Sequence, residues 1–123
     1  MEAEEFEKLV REGIEEIPKK FLGMLENVDI VVEEEPTSFQ KRKLGYRKNS
    51  LILGLYEGIP RIKRANYAQV LPDKITIFKN SIEQVASSRE SIKKIVRETV
   101  WHEIAHHFGL SEEEIRRKER KRG

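Results

Sequence analysis

The sequence predicts an α+β fold, in which helices pack against one small, twisted, mixed β-sheet. Apolar residues recur at helical spacing near the N-terminus and again beyond residue 88, and three short segments rich in β-branched residues lie between these regions. The 123 residues suffice for one hydrophobic core and contain no obvious linker. We therefore expect a single domain over residues 1–123.

The first predicted helix spans residues 4–25, because apolar side chains recur there every three or four positions. Pro18 lies inside this range and is expected to disturb the helix, since proline lacks the backbone N–H that a helical hydrogen bond needs. Three strands are predicted from their β-branched and partly alternating residues, at 29–33, 51–56 and 73–79.

A long helix is predicted next, beginning at a cap provided by Ser88 or Ser91 and ending at Phe108. Gly109 follows and can adopt the left-handed conformation that commonly ends a helix. Ser111 then starts a capping-box pattern, which indicates a further helix.

The composition narrows the classes of function. The 24 basic and 22 acidic side chains nearly cancel to a net charge of +2, so no overall field attracts the chain to nucleic acid or to membranes. Cysteine is absent, which excludes disulfides, thiolate nucleophiles and cysteine-bound zinc. Any metal must therefore be held by histidines and carboxylates.

The expected location is the cytoplasm. The first residues are acidic where a signal peptide would be basic, and no segment approaches the roughly 18 consecutive apolar residues that a membrane-spanning helix needs. We expect no membrane partner. Lys, Glu and Ile are abundant, which is a usage typical of thermophilic proteins.

Two basic segments are open to different interpretations. Residues 41–48 read as a solvated loop or as an anion-binding patch, and residues 116–122 read as a frayed helix end or as part of a nucleic-acid surface. The solvated interpretation is the simpler one for both segments. We therefore do not expect nucleic acid as a partner.

The segment from Trp101 to Gly109 contains His-Glu-x-x-His inside the predicted long helix. At about 100° per residue, His102 and His106 lie about 40° apart around the helix and about 6 Å apart along it, so their imidazoles can meet at one zinc ion. Glu103 projects beside them, where it can take a proton from zinc-bound water without binding the ion. The spacing predicts one zinc site with Glu103 as its base.

The second half of this helix is expected to be buried on every side, because Trp101, Ile104, Ala105 and Phe108 replace an earlier polar face. Histidines and a glutamate buried there without partners would cost about 2 to 7 kcal/mol each, which favours a metal. The alternative is that the histidines pack in the core, satisfied by backbone or carboxylate groups. His107 lies off the ridge of the other two histidines, and we expect it to pack without binding metal.

A catalytic zinc needs a third protein ligand and an open position for water. Glu112 is the candidate, because a left-handed Gly109 can turn the following residues back toward the metal. The alternative is that Glu112 is one of the acidic residues that favour the N-terminus of the next helix. The sequence leaves both interpretations open.

These residues carry a resemblance to known peptidases. The pattern His102-Glu103-x-x-His106-x-x-Gly109-x-x-Glu112 resembles the metzincin signature of the zincins, with a carboxylate in place of the usual third His or Asp. More closely, the chain resembles a small bacterial family of zincin-like metallopeptidase domains, through segments 53–60, 71–75 and 102–111. The resemblance implies a minimal zincin-like fold with an N-terminal helix, a central helix bearing the motif and one Zn²⁺ ion.

The resemblance also implies hydrolysis of a peptide or protein substrate, which would pair with an edge strand above the metal, and residues 74–79 are the expected strand. Tyr56 and Tyr67 are candidate transition-state donors, although each more commonly packs as a half-buried aromatic. The substrate cleft is expected to be shallow, and a partner protein or a second copy of the chain is the candidate to supply its missing wall. The alternative function is a zinc-dependent peptide-binding or regulatory module that does not cleave.

Overall fold

The computed structural model describes residues 1–43, 51–58, 72–109 and 117. Its elements, in chain order, are α1 (Ala3–Glu15), α2 (Lys19–Leu22), a 3-10 helix (Gly23–Leu25), β1 (Val28–Glu33), α3 (Ser38–Lys43), β2 (Gly54–Glu57), β3 (Asp73–Phe78), α4 (Lys79–Val85) and α5 (Arg89–His107). Within these ranges, no helix combines the length and the apolar character that crossing a membrane requires.

The three strands form a mixed sheet in the order β1, β3, β2. Strand β1 runs parallel to β3, with Ile30 opposite Ile75, and β2 runs antiparallel to β3, with Tyr56 opposite Ile75. A small mixed sheet with an N-terminal helix and a long helix bearing His-Glu-x-x-His confirms the predicted α+β, minimal zincin-like fold.

The expectation that residues 74–79 form an edge strand is wrong, because β3 lies between the other two strands. The physical reason is visible in its burial. Ile75, Thr76, Ile77 and Phe78 are all buried, so consecutive side chains on both faces of β3 are covered. Burial on both faces is typical of a central strand, and among the described strands the one at the edge beside α5 is β2.

Helices α1 and α5 share one hydrophobic core with the sheet. Side chains with no exposed surface come from all three layers: Phe6, Ile75, Ile77, Val96, Val100 and Trp101. Each large apolar side chain buried in this way contributes about 1.5–3 kcal/mol to folding. The two helices approach closely at Gly13, where a Cβ atom would lie 2.7 Å from the carbonyl oxygen of Lys93. Helix α5 is therefore held between α1 and the sheet.

Pro18 interrupts the first helical region as predicted. Helix α1 ends at Glu15, and Pro18 directly precedes the four-residue helix α2. A proline inside a helix removes one hydrogen bond and its ring contacts the preceding turn, so the chain breaks into two helices here.

Two short helices were not predicted. Helix α3 begins at a reciprocal cap, in which the N–H of Thr37 donates to Oε1 of Gln40 at 2.9 Å and the N–H of Gln40 donates to Oγ1 of Thr37 at 3.0 Å. Its last residues belong to the basic segment 41–48 that was expected to be a loop; residues 44–48 lie outside the described residues. Helix α4 contains an ion pair between Lys79 and Glu83 at 2.8 Å.

Candidate functional site

Helix α5 has defined ends, which fix the position of its motif. Ser88 is the N-cap: its Oγ accepts from the N–H of Ser91 at 3.1 Å, and Oγ of Ser91 accepts from the N–H of Ser88 at 2.9 Å. This capping box stabilises the first turn. At the other end, Gly109 has φ +84°, the left-handed conformation that glycine adopts without strain. Both predicted boundaries are confirmed.

His102 and His106 lie one turn apart on α5 and form what we term the histidine ridge. Their ring centroids are 5.0 Å apart, with 63° between the ring planes. His102 is half-buried and His106 is exposed. The two imidazoles are therefore brought together on a surface that small molecules can reach.

The expectation that the second half of α5 is buried on every side is wrong. Trp101, Ile104 and Ala105 are buried, but His106 and Phe108 are exposed, Phe108 to 54%. The core covers only the face of α5 that packs on α1 and the sheet. Because the histidines are not fully buried, the cost of burying unpaired polar groups does not by itself argue for a metal.

The chemistry of the histidine ridge fits zinc, since imidazole nitrogens are ordinary zinc ligands and two of them occur one turn apart. Residues 1–43, 51–58 and 72–109 contain no cluster of three or more His, Cys, Asp or Glu side chains able to hold a metal ion. Glu112, the expected third ligand, lies outside the described residues, as does Tyr67.

A second ridge of α5 packs onto β2, and we term it the docking ridge: Thr99, Glu103 and His107, spaced four residues apart. Gly54 lies so close to Thr99 that a Cβ atom would be 2.6 Å from Cγ2 of Thr99. Oε1 of Glu103 accepts a hydrogen bond from the backbone N–H of Tyr56 at 2.9 Å. The His107 ring stacks on the Tyr56 ring at 4.0 Å, with 16° between planes. These contacts fix the rotation of α5, and with it the direction of the histidine ridge.

The carboxyl group of Glu103 is partly shielded from water. Burial raises the pKa of its carboxyl group, while the Tyr56 N–H and the neighbouring His106 and His102 act in the opposite direction and lower it. The net direction is upward. A carboxylate with a raised pKa holds a proton more readily than an exposed one, which suits a general base.

Tyr56 is fixed from three sides. Its hydroxyl donates to Oδ2 of Asp73 at 2.6 Å, its ring stacks on His107, and its backbone N–H donates to Glu103. Nε2 of His107 is 3.9 Å from the same oxygen of Asp73. The Tyr56 hydroxyl is thus engaged with a carboxylate, an arrangement that favours a positioning role over the transition-state donor considered above.

Asp73 and the docking ridge were missed from the sequence. Asp73 and Tyr56 are diagonal neighbours on one face of the β2–β3 pair, because Tyr56 lies opposite Ile75. Their contact depends on strand register, which is not visible in either segment alone. His107, expected to pack without binding metal, does pack, but against Tyr56 at the surface, with its side chain 41% exposed.

A cleft of about 470 Å³ opens beside His102 and Glu103. Residues 51–54 form one side, and Ile95, Glu98 and Thr99 of α5 form the other. Its size is within the range of ordinary ligand sites. The proposed base therefore lies at the wall of a space large enough for part of a peptide.

The chain is similar to a known protein family and to a solved structure. The family model described as "Zincin-like metallopeptidase" matches residues 25–122, a range that includes all the site residues described above. A solved structure described as a conserved hypothetical protein from Thermo thermophilus is similar, with 25% sequence identity, a TM-score of 0.54, and coverage of 87% of this chain and 94% of that chain. No curated protein matches the chain. By its sequence match over most of its length, the chain belongs to the zincin-like metallopeptidase family.

Proposed function

We propose that this chain hydrolyses peptide bonds with one zinc ion, which His102 and His106 would hold together with Glu112. The family, the paired imidazoles and the adjacent cleft support this proposal. When bound, zinc would supply a Lewis acid that polarises the substrate carbonyl and makes water more acidic.

The observation that carries the proposal is the hydrogen bonding of the two carboxylate oxygens of Glu103. One carboxylate oxygen, Oε1, is fixed by the N–H of Tyr56, and Oε2 makes no hydrogen bond with any described residue. Oε2 can take a proton from the attacking water and later pass it to the leaving amine, while Oε1 keeps the side chain oriented.

The outer edge of β2 is the proposed place for the substrate backbone. The N–H of Phe78 donates to the carbonyl of Leu53, so Leu53 and Leu55 direct their backbone groups toward β3. Gly54 and Tyr56 therefore direct theirs to the opposite edge, where Glu103 already occupies the N–H of Tyr56. The backbone groups of Gly54 would pair with an extended peptide.

The test is Glu103→Gln, assayed with a peptide library and by metal analysis. Glutamine keeps an oxygen that can accept from Tyr56, so the variant is expected to fold and to retain about one zinc per chain. It should lose turnover by about 100-fold or more, because general-base catalysis typically contributes that much. Glu90→Gln, the same change in the first turn of α5, is the control and should keep full turnover.

Undiminished cleavage by Glu103→Gln would contradict the role given to this residue. Absence of cleavage by the zinc-loaded wild-type protein across the library would contradict the enzymatic proposal as a whole.

The second candidate is a zinc-dependent peptide-binding module that does not cleave. The exposure of His106 favours it, since a catalytic zinc site usually excludes bulk water from the reacting bond. Zinc-dependent peptide binding without product formation would identify this function.

A further inference from the structure

The cleft beside the docking ridge has a mixed chemical lining. Leu51, Ile52 and Leu53 supply aliphatic surface from one side, and Ile95 supplies it from α5. Leu51 is 47% exposed, so a large apolar side chain faces solvent at this point. Such surface can bind the aliphatic part of a ligand.

The charged side chains that line the cleft are acidic. Glu98 and Glu103 both line it, and no Lys or Arg occurs among its described lining residues. Glu103 is occupied by the Tyr56 N–H, whereas Glu98 is exposed and makes no hydrogen bond or ion pair with any residue in the described part of the chain. Other acidic residues near α5 behave differently: Glu16, for example, pairs with Arg97 at 3.0 Å.

The position of Glu98 links it to the proposed reaction centre. Glu98 is four residues before His102, so it extends the histidine ridge by one turn toward the N-terminus of α5. The aliphatic surface and this carboxylate therefore lie in the same cleft, about one helical turn from the histidines.

We propose that the cleft selects a lysine or arginine side chain of a peptide substrate, with the aliphatic stem on Leu51, Ile52 and Ile95 and the cation at Glu98. Long basic side chains bury their methylene groups against apolar surface while the charged end remains near water, and the lining has both parts. The inference rests on the proposed function, because it specifies the substrate of that same site.

The test measures binding, so that it does not depend on turnover. The zinc-loaded Glu103→Gln protein is titrated into fluorescein-labelled peptides made of Ala and Gly with one central variable residue: Lys, norleucine, Glu or Gly. Norleucine has the lysine stem without the charge. We expect norleucine to bind about tenfold more tightly than Gly, and Lys about fivefold more tightly than norleucine. Glu should bind more weakly than norleucine.

Two further variants assign the charge preference to Glu98. Adding Glu98→Gln should abolish the advantage of Lys over norleucine and leave the advantage of norleucine over Gly. Adding Glu90→Gln, an equal change of charge on the same helix outside the cleft, should leave both unchanged. The Lys advantage should also shrink as the salt concentration is raised from about 20 mM to about 300 mM, as expected for an exposed charge pair.

Equal binding of Lys and norleucine, or a Lys advantage that survives Glu98→Gln, would overturn the inference even if the protein cleaves peptides. Absence of binding by every peptide would overturn it as well. Conversely, the predicted ranking without any cleavage by the wild-type protein would sustain the inference on substrate selection and remove only the hydrolytic step.

Discussion

Glu103 joins the two functional surfaces of α5, since it belongs to the docking ridge and follows His102 directly. Its pKa is raised mainly by burial, so the folded chain binds the carboxyl proton more tightly than the unfolded chain does. This favours folding at low pH and opposes it once the pH rises above the folded pKa.

In the metal-free protein, Glu103→Gln is therefore expected to increase stability at pH 7, because glutamine removes the cost of ionising a carboxyl group in this partly buried place. The increase should be smaller at pH 4, where the unfolded carboxyl group is largely protonated too. Urea unfolding in the presence of a chelator at both pH values measures this. A difference between variant and wild type that is the same at both pH values would contradict the account.

The Tyr56 hydroxyl and Asp73 are expected to be energetically coupled. Tyr56→Phe removes the hydroxyl but keeps the ring on His107 and the backbone N–H on Glu103. It should cost about 1–2 kcal/mol, as for a hydrogen bond to a charged group that is partly buried. In a double-mutant cycle with Asp73→Ala, which removes the accepting oxygen, the two costs measured by urea unfolding should not add; full additivity would mean that the contact contributes nothing.

Among the site residues, the His-Glu-x-x-His motif could be predicted from the sequence, but the residues that hold it in place could not. His102, Glu103 and His106 stand out because their spacing is local, within one helix. Tyr56 and Asp73 are separated by 17 positions and meet only through the β2–β3 register. No pattern inside either segment indicates that register.

Helix α5 and strand β2 approach each other closely at Gly54, and a single substitution can test this contact. Gly54→Ala places a Cβ 2.6 Å from Cγ2 of Thr99 and 3.2 Å from the carbonyl oxygen of Thr76. The Thr99 side chain, the helix or the strand must shift, at a cost of about 1–3 kcal/mol. A shift of the helix would move Glu103 relative to Tyr56, so turnover should also fall.

Gly23→Ala is the matched control, since nothing lies within 4 Å of a Cβ at that position. It should be neutral or slightly stabilising in urea unfolding, because its φ of −59° suits alanine. Thr99→Ala in the Gly54→Ala background should recover part of the lost stability by removing Cγ2. An unchanged stability of Gly54→Ala would show that α5 does not pack as closely on β2 as described.

The elements with strong local patterns were predicted well. Strands β1 and β3, the break at Pro18 and the ends of α5 follow from β-branched residues, proline geometry and capping residues. Helix α3 also has a local signal in the sequence, the Thr37 and Gln40 spacing, but the basic composition of residues 41–48 is equally typical of a loop. The central place of β3 depends on what covers its two faces, which is a property of the whole fold.

For the whole molecule, family membership and the α+β architecture agree with the sequence prediction. The prediction that the second half of α5 is buried on every side is wrong, because hydrophobic residues near a motif do not indicate which face of the helix the core covers. The third ligand, Glu112, and the extent of a single domain over residues 1–123 stay predictions. Both depend on residues after Gly109.

Zinc binding by the histidine ridge is the central claim, and a zinc titration of chelator-treated protein, followed by thermal unfolding, tests it most directly. A ligand that binds only the folded state stabilises it by about 2.7 kcal/mol at a free concentration about 100 times its Kd. We expect a rise in Tm that saturates near one zinc per chain, persists in His107→Ala, and disappears in His102→Ala and His106→Ala. A wild-type Tm indifferent to zinc, or an undiminished rise in the last two variants, would contradict it.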